Sequence, residues 1–129
     1  MRFSKEHCWV NKTDSGVFIG ITHRAAEKIC KNFELFLCDE GDFIRAGESL
    51  GEIISCEFFD IISPVSGKVV WVNDEILNNP APLRKKPFEC PLCKMTDVAF
   101  TLPLMSETEY LKYVGLSMMC YKIRKPRRS

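Results

Sequence analysis

The feature that most constrains the fold is a pair of β-prone runs separated by a short polar tip. Residues 50–55 and 59–63 contain four isoleucines, and they flank Cys56, Glu57 and Phe58. Pro64 has no backbone N–H to donate, so it ends the hydrogen-bonded ladder of the second run. The pattern predicts an antiparallel hairpin in a mainly β protein.

Similar strand patterns lie on both sides of this hairpin. Residues 16–22 and 68–73 are β-branched and aromatic, and residues 33–38 end at a turn where Gly41 can supply a positive φ. A turn and a strand thus precede the hairpin, and a similar turn and strand follow it. This symmetry predicts two sheets folded over one core as a flattened barrel or sandwich, with Trp71 buried in its apolar strand.

Two helices are predicted to interrupt the strands. Residues 23–31 carry a one-sided apolar stripe, and residues 106–119 begin with Ser106 and Glu109 in the spacing of a capping box. Residues 78–91 contain four prolines and are predicted to form an irregular connection. The residues of the second helix expected to face the sheet are Tyr110, Leu111, Val114 and Met118.

Composition indicates one globular domain of residues 1–121 followed by a basic tail of residues 122–129. The 129 residues are 46% hydrophobic, which is enough for a core, and the net charge is +1. The tail holds five cations without aromatic residues, so nucleic-acid binding is not expected. No run approaches the roughly 18 apolar residues of a membrane span. The first residues lack a signal-peptide pattern, so we expect a cytoplasmic protein, or a mitochondrial-type matrix protein if a presequence was removed.

Several segments follow an order and spacing that is familiar from one family. Residues 7–10 read His-Cys-Trp-Val, residues 16–22 form a Gly- and Thr-containing strand, residues 60–67 read Asp-Ile-Ile-Ser-Pro-Val-Ser-Gly, and residues 79–80 read Asn-Pro. Together they resemble the H protein of the glycine cleavage system. The resemblance implies a lipoyl-domain fold of the barrel-sandwich hybrid type. It also implies a carrier-like protein without catalytic residues of its own, not an enzyme.

In the carriers of that family the hairpin tip presents a lysine that is acylated by lipoate, and this chain has no such lysine. Residues 45–67 contain none. Counting back from Ser63 puts the carrier position at Cys56, and counting forward from Gly51 puts it at Glu57. A thiol forms only a labile thioester or disulfide, and a carboxylate is no nucleophile for this chemistry. We therefore expect no lipoate and no other cofactor.

The tip also contains the candidate partner-binding residues. Glu57 disfavours a thiolate at Cys56 and no cation adjoins that cysteine, so an inert thiol at the surface or against a partner is expected. Of Phe58 and Phe59, one is expected to pack inward and the other to face a partner.

The remaining cysteines are interpreted as reduced thiols, many of them in the core. The chain has seven, an odd number spread along its length, which is unlike a disulfide framework. Cys90 and Cys93 form a CxxC motif that suits redox chemistry or half of a zinc site. Because no second pair accompanies the motif, these two are weak metal candidates. His7 is expected to have a packing role.

Two functions follow from these observations. The first is an H-like protein that carries no lipoate and serves as a binding or regulatory module for proteins of the glycine cleavage or lipoate-attachment type, without a small-molecule substrate or membrane. The alternative is an active lipoyl carrier modified at an unexpected residue. The mass of the intact chain after exposure to lipoate distinguishes them.

Overall fold

The computed structural model describes the backbone of residues 1–124 and the side chains of residues 1–115. The basic segment predicted at the C-terminus lies outside the described residues from residue 125 onward. The strands are β1 (Arg2–Phe3), β2 (Cys8–Thr13), β3 (Gly16–Ile21), β4 (Glu34–Leu37), β5 (Phe43–Ile44), β6 (Ser49–Ile54), β7 (Phe58–Ile62), β8 (Ser66–Val72) and β9 (Cys93–Ala99). The helices are α1 (His23–Ala26), α2 (Asp74–Asn78), α3 (Pro82–Lys85) and α4 (Glu107–Arg124), with a 3₁₀ turn at Pro87–Glu89.

The strands form two antiparallel sheets, which confirms the predicted fold class. One sheet has the order β1-β2-β3-β9-β8-β5, and the other has the order β4-β6-β7. The predicted hairpin is the β6–β7 pair, in which Ile54 lies opposite Phe58 and Ile53 opposite Phe59. The hairpin therefore belongs to the smaller sheet, in which β7 is an edge strand.

Buried side chains from both sheets fill the space between them. Ile53 and Ile61 of the hairpin contribute to the same core as Ile19 and Val69 of the larger sheet. Gly51 lets β4 approach β6 closely, because a Cβ there would lie 2.5 Å from the carbonyl oxygen of Phe36. The base of the hairpin is thus fixed by the core on one face and by strand β4 at its side.

Helix α4 docks where the sequence predicted, and its capping box is formed. The Ser106 N–H donates to Glu109 Oε1 at 2.8 Å, and the Glu109 N–H donates to Ser106 Oγ at 3.2 Å. Tyr110 is buried and stacks on Phe3 with ring centroids 4.7 Å apart. Leu111 does not face the sheet as predicted: it is 60% exposed, whereas Tyr110 and Val114 of the same helix pack with Phe3 and Trp9. Met118 lies outside the side chains that the structure describes.

Helix α1 is shorter than the predicted span of residues 23–31. Thr22 caps its start by accepting the Ala25 N–H, and the helix ends after Ala26. The Ile29 carbonyl instead accepts a hydrogen bond from Arg84 Nε at 2.9 Å. Tertiary bonds at residues 29 and 30 thus draw the chain out of the helical path.

Three further features differ from the sequence-based expectation. Residues 78–91 are not wholly irregular, because α3 and the 3₁₀ turn form there, each with proline in its first turn. Strand β9 was not predicted. Trp71 is only half-buried, because a bulge in β8 between Val69 and Trp71 turns the ring outward against Phe18, at a centroid distance of 5.8 Å.

Candidate functional site

The hairpin tip consists of three residues that connect β6 to β7. The Ser55 N–H donates to the Glu57 carbonyl oxygen at 3.0 Å, which closes the turn. Cys56 and Glu57 are exposed. Phe58 is 57% exposed, whereas the ring of Phe59 packs against the main core. The structure thus places one phenylalanine inward and one outward, and Cys56 occupies the apex.

The apex is covalently tied to the segment that follows α1. Cys56 forms a disulfide with Cys30, across a Cα–Cα distance of 5.9 Å and a sequence separation of 26 residues. The Cys30 N–H also donates to Ser55 Oγ at 2.6 Å. The expectation of reduced thiols throughout is therefore wrong for this pair, because the fold brings Cys30 within bonding range of the apex.

Sequence reasoning missed Cys30 as a site residue. It lies in a polar stretch after a short helix, and nothing in its neighbourhood marks it as a partner of the tip. The one available signal was that Cys56 stands at an exposed hairpin apex, where a second cysteine from a neighbouring segment can reach it. Which of the other six cysteines does so cannot be deduced from spacing.

A cleft of about 280 Å³ opens beside the tip, between β7, α1 and the turn before β2. It has both signs of charge, from Lys28 on one side and Glu6, Glu57 and Asp60 on the other. The apolar part of its wall is formed by Cys8, Ile21, Ala25, Phe59 and Ile61. The cleft can therefore accommodate a small, partly charged group close to the tip.

His7 lines this cleft and is held by a buried hydrogen-bond network. Its Nδ1 lies 2.9 Å from the Tyr110 hydroxyl, which in turn lies 2.8 Å from Thr22 Oγ1. Burial, and then the positive charges of Lys28 and Arg24, lower the pKa of His7. Burial also raises the pKa of Tyr110. Both groups are thus held neutral, and His7 joins α4 to the turn before β2, which agrees with the packing role predicted for it.

The free thiols near the site have little nucleophilic character. Burial raises the pKa of Cys8 to about 12, and the nearby Glu6 adds to this effect. The Cys8 thiol donates to the Ile62 carbonyl oxygen at 3.4 Å. Cys8 therefore behaves as a core side chain at the base of the hairpin.

The CxxC cysteines do not act as a pair. Cys93 begins β9 and is fully buried. The neighbouring thiol of Cys38, and then burial, raise the pKa of Cys93. Burial also raises the pKa of Cys90, which precedes the strand. Among the residues that the structure describes, no group of three or more histidine, cysteine or acidic side chains is arranged to hold a metal ion.

The two facing sheets and the β6–β7 hairpin define a protein of the lipoyl-domain class. A crystal structure of a glycine cleavage system H protein from Mycobacterium marinum superposes with a TM-score of 0.80 at 28% identity, covering 88% of this chain and 95% of that one. The family model for the glycine cleavage H-protein matches residues 1–116. The chain therefore belongs to the glycine cleavage H-protein family, whose members are carrier proteins and not enzymes.

Curated relatives from bacteria agree with this assignment. The glycine cleavage system H protein of Streptomyces coelicolor is 36% identical over 118 residues, which cover 89% of this chain and 94% of that protein. The protein of the same description from Coprothermobacter proteolyticus is 34% identical over 120 residues, with the same coverage. Within residues 1–124, no helix is long and apolar enough to cross a membrane.

Proposed function

We propose that this chain keeps the shape of a glycine cleavage H-protein, carries no lipoyl group, and acts as a binding or regulatory module. The chemistry of the tip supports this most strongly. Cys56 is bonded to Cys30, and Glu57 beside it is a carboxylate, so neither offers an amine. A lipoyl amide requires an amine, and a lipoate-attaching enzyme that recognised this hairpin would have nothing to acylate. We accordingly propose that the chain holds no cofactor.

The first lysine after the tip is a poor substitute for the missing one. Lys68 lies within β8, opposite Phe43 of β5, in the larger sheet. A lysine in the middle of a paired strand cannot enter a narrow enzyme site as the apex of a hairpin can. The position of Lys68 therefore supports the absence of a swinging arm.

The partner-binding surface in this proposal is the tip itself. Cys56, Glu57 and Phe58 are exposed together, with Phe59 packed behind them. We propose that this surface contacts cytoplasmic proteins of the glycine cleavage or lipoate-attachment type, and that no small molecule, nucleic acid or membrane is its target. The domain of residues 1–121 would bind without help from the basic residues 122–129.

The alternative function, an active carrier modified elsewhere, has one specific candidate. Lys28 is exposed and lines the same cleft as Glu57 and Phe59, so its amine is near the tip in space although distant in sequence. It lies at a turn after α1 and not at the apex of a hairpin. A ligase that recognises a hairpin apex would therefore modify Lys28 poorly.

The test is expression with a lipoate-attaching enzyme and lipoate, followed by measurement of the intact mass. We expect the unmodified mass, whereas a lysine-bearing H protein treated in parallel should gain a lipoyl group. A lipoyl adduct on this chain would overturn the proposal, and peptide mapping would then show whether Lys28 carries it.

A further inference from the structure

We propose that Cys30 and Cys56 form a redox-active dithiol–disulfide couple, through which the tip exchanges two electrons with a vicinal dithiol. This inference rests on the proposed function, because it gives the tip of a carrier without lipoate a chemistry of its own. A lipoyl group is itself a cyclic disulfide. The couple would therefore place a disulfide at the hairpin tip, as a lipoyl group does, but this disulfide is formed by two cysteine side chains.

The two cysteines are held together by more than their disulfide. The Cys30 N–H donates to Ser55 Oγ at 2.6 Å, directly beside Cys56. Ile29 is buried, and its carbonyl accepts from Arg84 Nε at 2.9 Å, which anchors the segment to α3. These contacts do not depend on the disulfide. Neither contact involves a sulfur atom, so in this proposal both segments stay in place while the sulfur atoms separate and rejoin.

Access favours this pair over the other cysteines. Among the cysteines of residues 1–115, only Cys56 is exposed, and Cys30 is partly covered. Cys8 and Cys93 are buried, and their pKa values are raised. A reductant that approaches the hairpin apex therefore meets the Cys56 sulfur first.

The exposure of the two cysteines defines the direction of attack. Cys56 is exposed and Cys30 is partly covered, so an incoming thiolate attacks the Cys56 sulfur and Cys30 departs as the thiolate.

The exchange balances with a vicinal dithiol as the reductant. Its first thiolate attacks the Cys56 sulfur, a mixed disulfide forms, and Cys30 leaves as a thiolate that takes up a proton. Its second thiol then attacks the mixed disulfide, loses its proton and releases Cys56 as a thiol. Two electrons and two protons pass to the chain, and the partner becomes a disulfide. The reverse sequence oxidises the chain.

The test uses the full oxidised chain without denaturant. It is exposed in separate arms to dihydrolipoamide, to a reduced thioredoxin-type protein with a CxxC dithiol, and to a monothiol at equal thiol concentration. Acid quenching, alkylation and peptide mapping then measure the reduced fraction of Cys30 and Cys56. We expect at least one dithiol to open the bond about tenfold faster than the monothiol does, and oxidised lipoamide to close it again. If dihydrolipoamide is faster, the reductant is a small dithiol. If the thioredoxin-type protein is faster, the reductant is a protein-bound dithiol.

Two variants make the result specific to this couple. Cys38→Ser removes a half-buried thiol elsewhere and should leave the exchange rate unchanged. Cys30→Ser should release no dihydrolipoamide from oxidised lipoamide, because the second thiol of the opened lipoamide ring expels Cys56 again and no Cys30 thiol remains to complete the exchange. A bond that opens only after denaturant is added, or no faster with either dithiol than with the monothiol, overturns the proposal. The intact mass of the same samples reports lipoylation, so failure of the couple and failure of the proposed function are told apart.

Discussion

At the residue scale, the two tryptophans of this chain differ in what they hold together. Trp9 is buried, its Nε1 donates to the Pro87 carbonyl oxygen at 3.2 Å, and its ring lies so close to Gly20 that any Cβ there would collide with it. Trp71 is half-buried and meets Phe18 edge-on outside the core. Trp9 is thus a buried packing residue, whereas Trp71 packs at the partly exposed surface.

We expect Trp9→Ala to lower the free energy of unfolding by about 3–5 kcal/mol, because it removes a large buried side chain and leaves a cavity. Trp71→Ala should lower it by only about 1–2 kcal/mol, since partial burial and a single aromatic contact are lost. Chemical denaturation of both variants beside the parent measures the difference. Equal losses would show that the bulge does not turn Trp71 away from the core.

His7 should make stability dependent on pH. Its pKa is lowered in the folded state by burial and by Lys28 and Arg24, so below a pH of about 6.5 the unfolded chain binds more protons than the folded one. The contribution of His7 is therefore constant above that pH, and stability is lost as the pH falls from about 6.5 toward the lowered pKa. The His7→Asn variant should lose less stability than the parent between those two pH values. Asparagine is chosen because it tolerates the positive φ of 67° at this position. If the free energy of unfolding of the parent and of the variant changes by the same amount across this pH range, the expectation is contradicted.

At the element scale, the disulfide converts a short helix and a hairpin into one unit. It closes a loop across 26 residues that includes β4 and β6, and loop closure of that length restricts the unfolded chain by about 3–4 kcal/mol. The core between the two sheets is built from side chains of both sheets and includes neither Cys30 nor Cys56. The bond therefore adds stability to a fold that packing already defines.

We expect Cys56→Ser to lower the free energy of unfolding by about 2–4 kcal/mol under non-reducing conditions, while the circular dichroism spectrum stays that of a β protein. The parent, fully reduced by a dithiol, should unfold at nearly the same denaturant concentration as the variant. A variant as stable as the oxidised parent would show that the bond contributes nothing to folding.

At the scale of the whole molecule, a lipoate-attaching enzyme either still recognises this fold as that of a carrier or no longer does. The overall fold is that of the family, whereas the apex is bonded to Cys30. A lysine introduced at the apex, together with removal of the disulfide, tests whether lipoylation is prevented by the missing lysine alone or also by the shape of the fold.

We expect Cys56→Lys or Glu57→Lys, each combined with Cys30→Ser, to gain the mass of one lipoyl group when ligase and lipoate are supplied. The parent and the Cys30→Ser variant alone are the matched controls and should stay unmodified. If neither lysine variant is modified although both fold, the shape of the tip, including Phe58, would have lost recognition by the ligase as well.

The sequence by itself determined the features that depend on residues close together in the chain. The β6–β7 hairpin follows from two strand-forming runs around a polar tip, and the start of α4 follows from Ser106 and Glu109, because pairing and capping act over a few residues. The lack of a lysine at the tip is likewise read directly from residues 45–67.

Only the tertiary structure decided the features that depend on distant residues. The partner of Cys56 is decided by where the fold holds the segment after α1, through hydrogen bonds to Ser55 and Arg84, and seven cysteines do not reveal it by spacing. Strand β9 was missed because Lys94, Thr96 and Asp97 interrupt its apolar run, and it is held instead by pairing with β3 and β8 on both sides. Local propensity defines which segments can pair, but contacts across the fold decide which of them do, and which thiols meet.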